Sequence, residues 1–570
     1  MNRSMRAIIP SSENRSRYLC LALAWALASV LLYAALVATV DSDRNIIENL
    51  LLNSDVLYPY LFARDLLGGV SIRGWNPPPA HCLFPDFFLV LISVSIVDFL
   101  QGDAVWAVIL AGGLLGLTWM IAYAWLFRVL ARYSGRELHP EQQLRIKLIA
   151  PLAGALLFAW IALGPGVNIL AFLFAPTFHA GAVLMLPICT GLTLIALHSS
   201  GRTRALALFG LALVITLTSA SDRIFYPGCL LPLVLIPPLL GRRTFSDLAW
   251  LGAAVVVGVL CGEWLNARIG DLLVLNQIQL TWGRLLEPDF ISRALPAAVE
   301  VISGIFASMP GVPFLFSVAA FGFVLFVITQ PRTDYGDRLV AAVVCAHLAM
   351  ILFLFGAMLT VGYVVNGDSA VLRYVAPAMS LPFLPAIFAV VWVSRRGRTV
   401  KIFSGWRGPL LLILAIGIAA YWLPRRPVSI AHAYARGPAF QLAECMNQNR
   451  ARLGRFGFAG YWNAKSATFL SQGHFQVNQL TANLDLMHWV NNFEWYYAPH
   501  APGAGGTRFL IADDLDRARI GERFGPATDA FECAGHEFLI YDPKINPRLA
   551  QAYPPEFLDL ALQLTGRRRH

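Results

Sequence analysis

Over the first 424 residues, apolar positions gather into uninterrupted runs instead of alternating with polar ones. Leu19–Val40, Ala104–Leu130, Leu248–Leu265, Leu339–Leu359 and Leu381–Val393 with its flanks are the clearest. Helices of about 18 or more such residues cross a hydrocarbon core of about 30 Å, so the pattern predicts a mainly α, polytopic transmembrane bundle of about ten to twelve spans. The first run is longer than the apolar core of a cleaved signal and ends in no small-x-small site, so it reads as a retained helix.

One polar segment, residues 41–88, breaks this pattern early. Inside it Val56, Leu57, Tyr60, Leu61 and Leu67 recur at helical spacing, which predicts an amphipathic helix over Asn53–Leu67 lying along the membrane surface. The run Asn76–His81 holds three consecutive prolines and must be extended. Phe84–Leu100 is expected to start a second helix, with Pro85 and Asp86 in its first turn. From 84 to 178 the number of crossings stays open. The basic stretch Arg132–Lys147 falls on the cytoplasmic side only if 84–100 does not cross fully.

After Leu423 the pattern changes again. Strand-like runs Phe456–Trp462, Arg508–Asp514 and His536–Asp542 lie between helical pieces such as Gly437–Arg452, with a glycine-rich loop at 501–506. About 145 residues is an ordinary domain size. The division expected is therefore 1–424 in the membrane and 425–570 as an extracytoplasmic α/β domain.

Composition agrees: 57% of the 570 residues are hydrophobic, 14% are charged, and the mean hydropathy is +0.60. The net charge of +10 would suggest a nucleic-acid partner were it not confined to short loops. Arg3, Arg6, Arg15 and Arg17 precede the first run. Later clusters are Arg202 with Arg204, Arg242 with Arg243, Arg332 with Arg338, and Arg395, Arg396, Arg398 and Lys401. That is the positive-inside distribution; it places the N-terminus in the cytoplasm and segment 41–88 opposite, and it requires no nucleic acid. Six of the eight cysteines lie in or beside apolar runs. Cys445 and Cys533 lie in the polar C-terminal part and would form a disulfide if that part is exported.

Candidate chemistry gathers at the outer ends of the runs, where ionisable groups are costly and tend to face cavities or partners. Asp55 reads equally as a helix N-cap or as a general base at a lipid–water boundary. Asp86 carries the same ambiguity. Asp222 and Arg223 separate two helices, and Arg373 with Tyr374 opens another. Tyr58, His81, His179 and Glu263 lie at the same level. Glu300 and His347, single polar groups within apolar segments, read as helix–helix contacts. A divalent cation held by Asp55, His81 and Asp86 has no support in spacing, and no cofactor motif occurs.

This layout resembles the GT-C superfamily of membrane glycosyltransferases, which includes protein O-mannosyltransferases and lipid A aminoarabinose transferases. The resemblance rests on Asp55 in NSDVLYPY, on the continuation WNPPPAHCLFPD, and on RYVAP beginning at Arg373. The adjacent acidic pair usual at the start of that loop is missing, since Asp55 stands between Ser54 and Val56. The second acidic role would then fall to Asp65 or Asp86. The resemblance implies sugar transfer from a polyprenyl-phosphate donor to an extracytoplasmic glycolipid, polysaccharide or protein, while the arginine-rich, lysine-poor composition and compact loops fit a bacterial inner membrane. Asp55 would activate the acceptor, Arg373 and Arg223 would hold the leaving phosphate, and neither a nucleotide pocket nor an essential metal is required. A transporter of lipid-linked glycans would instead place polar residues at mid-membrane in paired broken helices. A non-enzymatic envelope protein with an external binding domain would tolerate loss of Asp55.

Overall fold

The structure is a computed structural model that describes residues 52–133, 175–177, 179–223, 225–226, 230–240, 245–273, scattered positions from 283 to 299, 335–346, 438–501, 506–556 and 559. The runs Leu19–Val40 and Leu381–Val393, most of Leu339–Leu359, and Glu300 and His347 lie outside the described residues.

The first polar segment folds as a helix, α1 (Ser54–Leu67). Its cap is Asn53, whose Oδ1 accepts the Val56 N–H at 2.9 Å. The capping role open to Asp55 is therefore filled by its neighbour. Sequence periodicity finds this helix but misplaces it. Ser54 and every residue from Val56 to Ala63 are buried, so α1 is enclosed by protein and does not lie on a lipid surface. The proline-rich stretch is extended: β1 (Trp75–Asn76) pairs antiparallel with β4 (Asn491–Asn492).

Leu83–Phe87 then forms one wide helical turn that leads into α2 (Phe88–Phe99). Twelve residues rise about 18 Å, short of a full crossing. The outward face of α2 carries Phe88, Ile92, Ile96 and Phe99. Among the described residues, four helices are long and apolar enough to span a membrane. They are α3 (Ala104–Tyr133), α4 (Ala180–His198), α5 (Gly201–Ser221) and, after the short α6 (Leu231–Leu239), α7 (Phe245–Leu272). They pack as neighbours in series, α3 on α4, α4 on α5 and α5 on α7. Gly258 and Gly262, four residues apart on α7, allow the closest approach. A Cβ at either would overlap Ile215 or Ser219 of α5, and Thr216 Oγ1 donates to the Gly258 carbonyl at 3.2 Å.

The C-terminal part is a three-layer α/β unit. Its five-stranded sheet has the order β3-β2-β5-β7-β6: β2 (Phe456–Gly460), β3 (Gln476–Leu480) and β5 (Arg508–Ile511) are parallel, while β6 (Asp529–Cys533) and β7 (His536–Tyr541) form an antiparallel hairpin. Alternation along the strands gives two apolar faces. Phe509, Ile511, Phe538 and Ile540 pack under α8 (Pro438–Gln448) and α9 (Tyr461–Leu470). Leu510, Leu539 and Tyr541 pack on the other side with Ile520 and Phe524 of α10 (Arg517–Phe524). A disulfide joins Cys445 of α8 to Cys533 of β6.

This unit packs directly against the first segment. Ala439, Ala443, Phe469, Leu470 and Trp495 belong to the same buried cluster as α1 and the spanning helices. Asp65 near the end of α1 fixes the seam. Its Oδ2 accepts from Trp75 Nε1 at 2.8 Å, Trp495 Nε1 at 3.0 Å and Asn492 Nδ2 at 2.7 Å.

Candidate functional site

The site grows from two ends of secondary structure that meet. The central parallel strand β2 ends at Gly460, and α9 begins at once with Tyr461. β3 and β5 lie on opposite sides of β2, so the strand order reverses there, and open α/β sheets place ligands outside such strand ends. The N-terminal turn of α1 lies against this point. Tyr461 O–H donates to Asp55 Oδ1, and Ser54 O–H donates to the Tyr461 carbonyl. Asp55 is partly exposed, whereas Ser54 and Val56 beside it are buried.

Behind Tyr461 stands Lys465, one helical turn along α9 and 1% exposed. Its Nζ lies 4.6 Å from the centre of the Tyr461 ring and donates to Gln479 Oε1 at 2.5 Å. Burial pushes the ammonium down to about 7, while the negative charge of Asp55 acts in the opposite sense. Around the rim, Trp462 is 54% exposed, and Asn463 donates to Asp514 Oδ2 at 3.3 Å. A carboxylate, a phenol and an amine titrating near neutrality thus converge beside an exposed indole.

A second cluster lies at the ends of α4 and α5. Asp222, the C-cap of α5, is 3% exposed, and its Oδ2 lies 2.6 Å from Nδ1 of His179, the residue that precedes α4. Asp86 is 1% exposed and accepts the Gly181 N–H at 3.1 Å on each of its oxygens, capping α4. A Cβ on residue 181 would overlap that carboxylate, so glycine is required for the approach. Burial, then the charge of Asp222, push Asp86 up to about 8, with the Gly181 N–H opposing. Tyr58 links the two clusters. Its O–H donates to the His81 carbonyl at 2.9 Å. Its acidity is lowered first by burial, then by Cys82, Asp86, Asp55 and Asp222 around it.

No family model matches the chain, and no curated protein matches it.

The residues singled out in the sequence separate in the fold. Asp55, Asp86 and Asp222 come together around Tyr58, with His179 against Asp222. His81 is buried but directs Nε2 to Asn266 Oδ1 at 2.8 Å on the far end of α7. It is not gathered into a three-ligand group with Asp55 and Asp86. Arg223 pairs with Glu263 at 3.2 Å, its side chain largely exposed. Arg373 and Tyr374 lie outside the described residues. Tyr461, Lys465, Gln479 and Cys82 were not anticipated. Lys465 offered one signal: it is one of four lysines in a chain that otherwise uses arginine, and lysine, unlike arginine, changes charge readily when buried.

Proposed function

We propose that the chain is a membrane glycosyltransferase that moves a sugar from a polyprenyl-phosphate donor to an acceptor on the extracytoplasmic side of a bacterial inner membrane. The observation that supports this reading is Asp55. It is partly exposed, relieved of capping by Asn53, and held by Tyr461 where the first loop meets the ligand-binding edge of the C-terminal sheet.

In this reading an acceptor hydroxyl oxygen attacks the anomeric carbon, and the bond from that carbon to the phosphate oxygen breaks. The phosphate leaves with the bonding electron pair, and the hydroxyl proton passes to Asp55. Tyr461 orients the carboxylate. Arg373, with Tyr374 next to it in sequence, and Arg223, once it exchanges Glu263 for the anion, would bind the departing phosphate. The lipid tail would lie along apolar faces such as that of α2. The exposed Trp462 and the polar pair Asn463–Asp514 make the C-terminal edge suited to a sugar acceptor, which presents both apolar C–H faces and hydroxyls.

The test is sugar transfer by the purified full-length protein from a panel of polyprenyl-phosphate sugars to membrane-extract acceptors, with wild type beside Asp55→Asn. Transfer by wild type and its loss in a folded Asp55→Asn protein supports the proposal. Transfer undiminished in Asp55→Asn removes that residue from the chemistry. Absence of transfer from every donor by folded wild type rejects the reading.

A further inference from the structure

Cys82, His179 and Asp222 come from three separate segments: the first loop, the turn before α4 and the end of α5. All three are buried, and each offers one ligand atom within 4.8 Å of the other two. The proposed sugar transfer makes no use of Cys82, and an amide or serine in these places would satisfy the local hydrogen bonds as well. We infer that these three side chains bind a zinc-class divalent cation, which ties the first loop to the ends of α4 and α5.

The chemistry of the donors selects the ion. A thiolate and an imidazole with one carboxylate suit zinc, whereas magnesium and calcium take oxygen ligands. Three protein donors leave one tetrahedral position open. The present 2.6 Å between His179 Nδ1 and Asp222 Oδ2 is closer than two donors sit on one tetrahedral zinc, about 3.4 Å apart. Binding therefore widens that pair by roughly 0.8 Å, or turns in the second Asp222 oxygen. The Cys82 thiol, now within 3.5 Å of the Ala80 and Thr177 carbonyls, gives up its proton to solution as the ion binds.

Backbone geometry supports the assignment independently. Cys82 has φ +49° and His179 φ +64°, left-handed conformations that side chains with a Cβ seldom adopt. Such positions persist where the surroundings over-determine them, and they cluster at sites that hold ligands. Both are braced. The Cys82 N–H donates to the Ser221 carbonyl at 3.3 Å and the Phe84 N–H to Ser221 Oγ at 2.8 Å. Asp86 holds the turn after His179 through Gly181. Asp86 thus fixes the backbone two residues after His179. A dication also offsets the negative charge that Asp222 brings to a buried place.

The test uses tag-free, full-length protein in detergent, stripped with EDTA and titrated with Co²⁺, followed by Zn²⁺. One cobalt per chain is expected, with thiolate-to-metal absorption in the near ultraviolet and tetrahedral visible bands. Zinc should displace it and magnesium should not. Cys82→Ser, checked as monodisperse by size exclusion, should lose the thiolate band, and Asp222→Asn should weaken cobalt binding at least tenfold. Folded wild type that shows no thiolate band on titration overturns the proposal, as does a band that survives Cys82→Ser, and so does loss of the band when magnesium is added. Sugar transfer plays no part in the readout, so this site and the proposed activity can fail separately.

Discussion

Two aspartates on one helix meet the same C-terminal unit in opposite ways. Asp65, near the end of α1, gives one carboxylate oxygen to three N–H groups, two from indoles and one from an amide. None of these donors titrates, and each is fixed in packed protein. Burial tends to raise the pKa of Asp65, and the three donors oppose it. Asp55, at the start of α1, faces a phenol O–H and the charge of a lysine that titrates near neutrality. Saturation with fixed donors makes a rivet. Partners that can themselves gain or lose a proton make a place where chemistry can occur. The residue type is the same, and its surroundings decide its use.

The sharpest way to break this contrast is Asp55→Asn. Transfer should fall by about 10²–10⁴-fold, while the unfolding midpoint stays within the error of measurement. Equal losses of folding and activity would make Asp55 a second rivet. Asp65→Ala comes next. It strands three buried donors and should lower stability by about 3 kcal/mol, seen as faster proteolysis in the 68–82 stretch and a lower denaturation midpoint.

Lys465 gives a pH signature of smaller size. Below pH 7 the folded and unfolded chains both hold its proton. Between about 7 and the ordinary 10.5 only the unfolded chain does, so this group makes stability rise with pH across that window. Wild type should therefore gain about 2 kcal/mol relative to Lys465→Met between pH 7 and pH 9. Parallel pH profiles for the two proteins would mean that Lys465 keeps its charge in the folded state. Tyr461→Phe should have the smallest structural effect, about 1 kcal/mol, with a drop in transfer well beyond what that loss explains. A drop no larger than the stability change would reduce Tyr461 to packing.

What could be read beforehand follows from range. The apolar runs around α3 and α7 and the strand pieces from Phe456, Arg508 and His536 are local patterns, and the fold keeps them. The helix at Asn53–Leu67 is local too, but its enclosure depends on Phe469 and Trp495, more than 400 residues away. Amphipathicity says that a helix has a partner without saying whether that partner is lipid or protein. Phe84–Leu100 is apolar enough for a span, yet a wide turn over Leu83–Phe87 uses up its first residues and leaves α2 short. Asp55 stood out because a carboxylate near an apolar run is costly. Tyr461 and Cys82 did not, since tyrosine after a strand and cysteine in an apolar setting are common, and only three-dimensional convergence gives them meaning.

The pairing of Trp75–Asn76 with Asn491–Asn492 also sets an order of assembly. These strands are separated by roughly 400 residues of chain, which a ribosome adds at about 5–20 residues per second. For on the order of 20–80 s, the loop around Asp65 therefore exists without the indole and amide it will bind. Its tryptophan and aspartate must wait at the membrane until the last quarter of the protein arrives. A nascent chain that stops early is thus left with the seam around Asp65 unmade, so that closure of the first loop is withheld until synthesis is nearly complete.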